Sequence, residues 1–264
     1  MDLKLSGKSA LVTGSTAGIG FAIASAFVDE GADVVVSGRT AERVNQAVQK
    51  LQSRNGRVKV TGIPGDLSRV ENVALLTEKL PEVDILINNL GIFEPKQFSE
   101  ITDADWERFF NVNVMSGVRL SRHYLPIMLK KNWGRIIFIS SESGLNIPSE
   151  MIHYGMTKTA QLAIARGLAE TTAGTKVTVN AVLPGPTLSE GVGTFVQDLA
   201  KQQATDLAEV EKQFFQRVRP SSLIQRFAEP EEVAPMVVYL SSPLASATNG
   251  AAVRVDGGVV RSIA

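Results

Sequence analysis

The sequence predicts a doubly wound α/β fold, a seven-stranded parallel sheet flanked by helices on both faces. Three observations carry this expectation. Short β-branched runs alternate with helix-length segments in βαβα order. Runs such as Ile136-Ile137-Phe138-Ile139 and Ile85-Leu86-Ile87 are apolar at every position, as strands covered on both faces must be. No Pro/Gly/Ser-rich linker, low-complexity tract or internal repeat divides the 264 residues, so one domain over residues 1–264 is expected.

The seven strands are expected at Ser9–Thr13, Val34–Ser37, Val58–Gly62, Asp84–Asn88, Arg135–Ser140, Val177–Leu183 and Ala252–Val255. Helical patterns fill the intervals; the two longest run at about Asp103–Lys131 and Met151–Thr172. One interval is irregular. After the sixth strand, PGPTLSEGVG leads into a helical stretch with Phe195, Leu199, Leu207, Val210, Phe214 and Phe215. Residues 186–227 therefore read as a helical excursion over one end of the sheet, either a hairpin packed on the core or a lid over a substrate pocket.

Composition excludes several kinds of chemistry. Lys+Arg and Asp+Glu both number 27, so no net charge draws the chain to nucleic acid or anionic lipid. With no cysteine there is no disulfide, thiolate nucleophile or Cys-ligated metal. His123 and His153 are too few for a histidine metal site, and no carboxylate cluster has ligand spacing; no metal is expected. The N-terminus has no apolar run of signal-peptide length, and nowhere do 18 apolar residues run unbroken, so the expected location is cytoplasmic.

Directly after the first strand stands Thr13-Gly14-Ser15-Thr16-Ala17-Gly18-Ile19-Gly20, followed by the helical run FAIASAFVDEGA. Such a turn suits a phosphate. Gly14 permits the tight turn, Gly18 lets backbone N–H groups approach a pyrophosphate at a helix N-terminus, and Gly20 lets the helix lie close on the strand. A second constellation is Tyr154 and Lys158, whose i, i+4 spacing sets both on one helix face.

These residues, with Asn88-Asn89-Leu90-Gly91 after the fourth strand, Ser140-Ser141 after the fifth, Pro184-Gly185 and the late Val255-Asp256-Gly257-Gly258, resemble the classical short-chain dehydrogenase/reductase family. The resemblance runs from Gly7 to Gly258. It implies a Rossmann-like fold and a nicotinamide cofactor. It also implies a catalytic set of Asn113, Ser141, Tyr154 and Lys158, and a cofactor site that takes in Gly14, Ser15, Thr16, Gly18, Ile19, Gly20, Asn89, Gly91, Tyr154, Lys158, Pro184, Gly185 and Thr187. Leu90 departs from the family's usual alanine, which touches packing beside the adenine ribose and leaves the backbone contacts of Asn89 and Gly91 in place.

Physical chemistry supports those roles. A tyrosine ordinarily titrates near 10, and a lysine ammonium within a few Å favours the phenolate. Tyr154 is thus expected to act as acid in carbonyl reduction and base in alcohol oxidation, with Ser141 bonding the same oxygen. Asn113 is expected to hold a water linking Lys158 to solvent. His153 points about 100° away from Tyr154 around the helix and reads as core or pocket rim.

For the cofactor, a Rossmann-like sheet that binds NAD usually ends its second strand with a carboxylate for the ribose. Here that strand ends Val36-Ser37-Gly38-Arg39-Thr40. Arg39 instead suits a 2′-phosphate, so NADP(H) is expected over NAD(H). Arg43, one helical turn on, either assists or faces water. By resemblance Asp66 faces the adenine amino group, with Leu67 supplying a backbone contact, and Thr187 holds the nicotinamide carboxamide; a helix N-cap is the alternative for Asp66 and for Thr187.

The expected function is NADP(H)-dependent interconversion of a ketone or aldehyde and an alcohol, 3-oxoacyl reduction among the options. The alternative is a non-catalytic dinucleotide sensor or scaffold on the same fold. Phe and Leu in residues 186–227 suit a partly apolar substrate, whereas Arg217 and Arg219 suit a carboxylate or an acyl-carrier thioester. The resemblance implies a homotetramer or homodimer, with the two long helices meeting their symmetry mates.

Overall fold

A computed structural model describes residues 1–202 and 205–263, without the side chains of Phe195, Leu199 and Gln202. Strands β1 (Ser9–Val12), β2 (Asp33–Gly38), β3 (Val60–Pro64), β4 (Ile85–Asn88), β5 (Gly134–Ile139), β6 (Val177–Pro184) and β7 (Ala252–Val255) form one sheet in the order β3-β2-β1-β4-β5-β6-β7. Every pairing is parallel.

The both-faces-apolar pattern follows from the alternation of side chains along each strand. Ile87, Ile137 and Val182 pack on one face, against Phe27 of α1 (Gly18–Asp29), Val44 of α2 (Ala41–Gln52) and Val237 of α9 (Pro230–Ser241). Their neighbours Leu86, Ile136 and Leu183 pack on the other, against Leu76 of α3 (Val70–Lys79), Tyr124 of α5 (Ser116–Lys131) and Ala165 of α6 (Ile152–Glu170). The sheet therefore separates two cores.

Two expectations shift. β3 starts two residues later than expected and runs on to Pro64, through Gly62, because Val34 to Gly38 pair with Val60 to Pro64. Gly62 is a packing residue and not a strand end: a Cβ there would lie 2.3 Å from Val44 Cγ1, so its bareness lets α2 sit on the edge strand. The expected helix over Asp103–Lys131 is α4 (Asp103–Phe110) and α5 joined by a π-helical turn at Asn111–Met115. Such turns add a residue to the helical repeat and commonly mark functional sites.

The excursion after β6 carries α7 (Glu190–Gln202) and α8 (Leu207–Arg217). Its ends are tied together, with Leu188 N donating to Ala228 O at 2.8 Å and Ala228 N to Pro186 O at 2.9 Å. Val196, Ala200, Val210, Phe215 and Phe227 give it a small core of its own. Of its expected apolar residues, the side chains of Phe195 and Leu199 lie outside the described residues.

Candidate active site

Connecting β3 to β4 carries the chain from one sheet edge to its middle, so the loops after β1 and β4 part at their C-terminal ends. In open parallel sheets that crevice is where ligands bind. Thr13 and Asn89 fasten its two lips. Thr13 Oγ1 donates to Ile87 O at 3.1 Å and accepts from the N–H groups of Asn89 and Leu90 at 2.9 and 3.0 Å. Asn89 Nδ2 donates back to Thr13 O at 2.8 Å and to Gly14 O at 3.1 Å.

The glycine turn needs its glycines. Gly14 and Gly18 have φ of 61° and 54°, in the left-handed region. A Cβ at Gly20 would meet Gly14 O at 2.4 Å and Asn89 Nδ2 at 2.5 Å, so only glycine lets α1 close on the turn. The N-cap of α1 is Ala17, which offers no side-chain acceptor to the first-turn N–H groups. Those donors fit an anionic group such as a pyrophosphate. Ser15 serves the turn from within: its Oγ donates to Val12 O at 2.6 Å and accepts from Ser37 N at 3.1 Å, and the residue is fully buried.

At the other end of a cleft of about 780 Å³ stand Ser141, Tyr154 and Lys158. Ser141 follows β5, and its Oγ accepts from Ser143 N at 3.1 Å, which leaves its own proton to donate. The Tyr154 phenol lies within hydrogen-bonding reach of Ser141, on the first turns of α6. Lys158 Nζ donates to Ile139 O at 2.9 Å and to Gln161 Oε1 at 3.3 Å.

Asn113 sits in the π-helical turn, and its side-chain amide is committed elsewhere. Oδ1 accepts from Ile92 N at 2.8 Å, while Nδ2 donates to Ile92 O at 3.0 Å and Thr157 Oγ1 at 2.9 Å. Its connection to Lys158 runs through its backbone carbonyl, which accepts from Gln161 Nε2 at 2.5 Å. Gln161, fully buried, thus bridges Asn113 and Lys158.

Burial sets the protonation directions here. It pushes the Tyr154 phenol up to about 12, outweighing the Ser141 hydrogen bond that favours the phenolate. It brings the Lys158 amine down to about 7. The expected lowering of the phenol by lysine does not arise within this geometry, because Lys158 Nζ lies 5.6 Å from the Tyr154 ring centroid and is engaged by Ile139 and Gln161.

Between the two ends, Thr16, Ile19, Asn89, Gly91, Pro184, Gly185 and Thr187 line the same cleft. Thr187 Oγ1 donates to Gly185 O at 2.9 Å, three residues before α7, so it is not that helix's N-cap. Arg39 lines the rim after β2 and makes no ion pair among the described residues. Arg43 is paired with Glu190 at the base of α7. Asp66 and Leu67 stand off the cleft lining. Asp66 Oδ1 accepts from the N–H and hydroxyl of Ser68 at 3.1 and 2.7 Å, closing a turn just before α3, and Leu67 is buried in the core.

Past the catalytic end the walls are Phe93, Met151, Phe214 and Phe227, with Glu142 and Arg219 among them. Arg219 is buried against Glu142 and Glu150, whereas Arg217 is exposed on α8 and lies off the cleft. His153 is fully buried, its ring centroid 4.0 Å from that of Phe109, as the core reading expects.

A family model described as short chain dehydrogenase matches residues 8–200. The chain belongs to the short-chain dehydrogenase family. It is 52% identical to the uncharacterized oxidoreductase YvaG of Bacillus subtilis (strain 168) over the whole of both chains. It is 34% identical to the 3-oxoacyl-[acyl-carrier-protein] reductase FabG of Aquifex aeolicus (strain VF5), across 98% of this chain and all of that one. Among solved structures, L-sorbose reductase from Gluconobacter frateurii, complexed with NADPH and L-sorbose, superposes with a TM-score of 0.93 at 32% identity over the whole of both chains.

This short-chain dehydrogenase is accordingly an NAD(P)-dependent oxidoreductase acting on CH–OH and C=O groups, with the Rossmann-like fold of its relatives. Among the described residues no helix is long and apolar enough to cross a membrane, and no group of three or more His, Cys, Asp or Glu is disposed to hold a metal. Sequence reasoning missed Thr13 and Gln161. Thr13 is signalled by its place directly before the glycine turn, and Gln161 by its i, i+3 spacing from Lys158, which sets the two on one helix face.

Proposed function

We propose that this short-chain dehydrogenase reduces a ketone or aldehyde to an alcohol with NADPH, or runs the reverse with NADP, Tyr154 acting as general acid and base. The observation that carries the reading is one cleft with an anion-fitting glycine turn at one end and Ser141, Tyr154 and Lys158 at the other.

The turn at Gly14 to Gly20 would hold the pyrophosphate, Asn89, Gly91, Pro184, Gly185 and Thr187 would flank the nicotinamide half, and Arg39 would take the 2′-phosphate. When bound, the cofactor supplies or accepts the hydride. Tyr154 Oη gives its proton to the carbonyl oxygen as charge develops there, and Ser141 Oγ donates a hydrogen bond to the same oxygen. Lys158 Nζ, brought to about 7 by burial, exchanges its proton near neutral pH. Asn113 positions this end by clamping Ile92 to α6, and residues 186–227 serve as the substrate lid.

NADP over NAD is supported by Arg39 on the cleft rim, by the absence of a carboxylate at the end of β2, and by a structural neighbour solved with NADPH. A single-domain, cytoplasmic homotetramer completes the reading; its support is the family resemblance and the cysteine-free composition. Titration of the protein with NADPH and with NADH, followed by nicotinamide fluorescence, tests it. Binding of NADPH at least about tenfold tighter, about 1.4 kcal/mol, is expected; equal or tighter NADH binding overturns the cofactor assignment.

A further inference from the structure

The substrate end of the cleft is lined by Arg219 and Glu142, and behind the lining Arg219 also pairs with Glu150. Arg219 Nε donates to Glu142 Oε1 at 2.9 Å, and its Nη1 donates to Glu150 Oε1 at 3.2 Å and to Val218 O at 3.0 Å. The Arg219 and Glu142 side chains are only 8% and 4% exposed. Glu142 follows Ser141 directly, and both Glu142 and Arg219 line the cleft.

The charge there favours anions less than the arginine alone would. The one positive charge of Arg219 is shared between two carboxylates, so it offers an incoming anion little free attraction, and the buried Glu142 carboxylate faces the cleft where water is scarce. Glu142 Oε1 also accepts from Ser143 Oγ at 3.0 Å, yet among the described residues no donor reaches the buried Glu142 Oε2. A buried carboxylate oxygen lacking a donor disfavours another negative group nearby and favours a hydroxyl.

Resting on the proposed carbonyl chemistry, we propose that Glu142, Glu150 and Arg219 make this cleft selective for an uncharged, hydroxyl-bearing carbonyl compound of the hydroxyketone or ketose class. They reject carboxylates and acyl thioesters that carry phosphates. Arg219, which by sequence suits an anionic substrate, is instead held by Glu142 and Glu150.

The test compares kcat/KM with NADPH for dihydroxyacetone and for acetoacetate, two small ketones differing in charge. The expected ratio is at least about tenfold in favour of dihydroxyacetone. Glu142→Gln and, at the 40% exposed position, Glu150→Gln should each narrow the ratio by raising activity on acetoacetate, and Arg219→Gln should widen it. A purely structural ion pair would instead lower both substrates in proportion.

Acetoacetate turned over as well as dihydroxyacetone, or proportional losses in the glutamate variants, overturns the inference and leaves the proposed function standing. If the protein turns over no carbonyl, the proposed function fails. The same pair of ketones is then compared by calorimetric binding to the NADPH-loaded protein, where equal or tighter acetoacetate binding again overturns the selectivity.

Discussion

Gln161 Oε1 accepts from Lys158 Nζ at 3.3 Å, one helical turn along α6, and its amide nitrogen ties that pair to the Asn113 carbonyl. A buried ammonium loses most of its hydration, so each acceptor it keeps stabilises the charged form. Replacing Gln161 by Leu removes one of two. The Lys158 amine should then fall further below about 7, and the matching limb of the kcat pH profile should move to lower pH by about one unit, near 1.4 kcal/mol. A loss of kcat with the limb unmoved would make Gln161 a packing residue only.

Tyr154→Phe keeps the ring that meets Phe93 edge-on at 6.5 Å and deletes the proton donor. Turnover should drop by at least about 10³-fold, within the range for removing a general acid–base group. NADPH affinity, read by fluorescence, should stay within about threefold. Retained turnover would remove Tyr154 from the chemistry.

Arg39→Asp sets a carboxylate at the end of β2, where a 2′-phosphate would meet repulsion and a ribose hydroxyl an acceptor. The preference should invert, with NADPH weakened at least about tenfold, or about 1.4 kcal/mol. Glu190→Gln should tighten NADPH by freeing Arg43 from its partner on α7. Kd measurements for both cofactors on both variants check this pair.

Gly20→Ala forces a methyl to within 2.4 Å of the Gly14 carbonyl. The backbone of the turn must shift, at a cost of about 1–3 kcal/mol, the usual range for overpacking. Urea unfolding should show the loss, and cofactor affinity should fall with it. A Gly167→Ala control, at a helical position where nothing lies within 4 Å of the added Cβ, should do neither.

Stability should rise with pH on account of Lys158. The folded protein holds this amine near 7, whereas an unfolded lysine titrates near 10.5. Between those values the unfolded chain binds more protons, so raising the pH favours the folded state. From pH 7 to 9.5 the gain relative to Lys158→Met should reach about 3 kcal/mol, measured by urea unfolding at both pH values. Tyr154 acts above that window: its phenol is pushed up to about 12, so stability is lost as pH climbs from 10 toward 12.

Much of this protein is written in local pattern. Ile136 to Ile139 read as a doubly covered strand because alternation sends successive side chains to opposite cores. Gly14, Gly18 and Gly20 read as a phosphate turn because backbone sterics admit few other residues there. Tyr154 and Lys158 share a face because helix geometry puts i and i+4 together. Such features depend on neighbours in sequence, so the sequence alone determined them.

Through-space neighbours decided the rest. Only the packed chain joins Asn113 to Lys158 through Gln161 and pairs Arg219 with Glu142 across 77 residues. It also reversed the direction expected for Tyr154. Spacing says that a lysine stands near, whereas the titration depends on where the ammonium points and how much water is left. Desolvation and pairing are sums over everything folded around a group, and those sums exist only once the tertiary structure has formed.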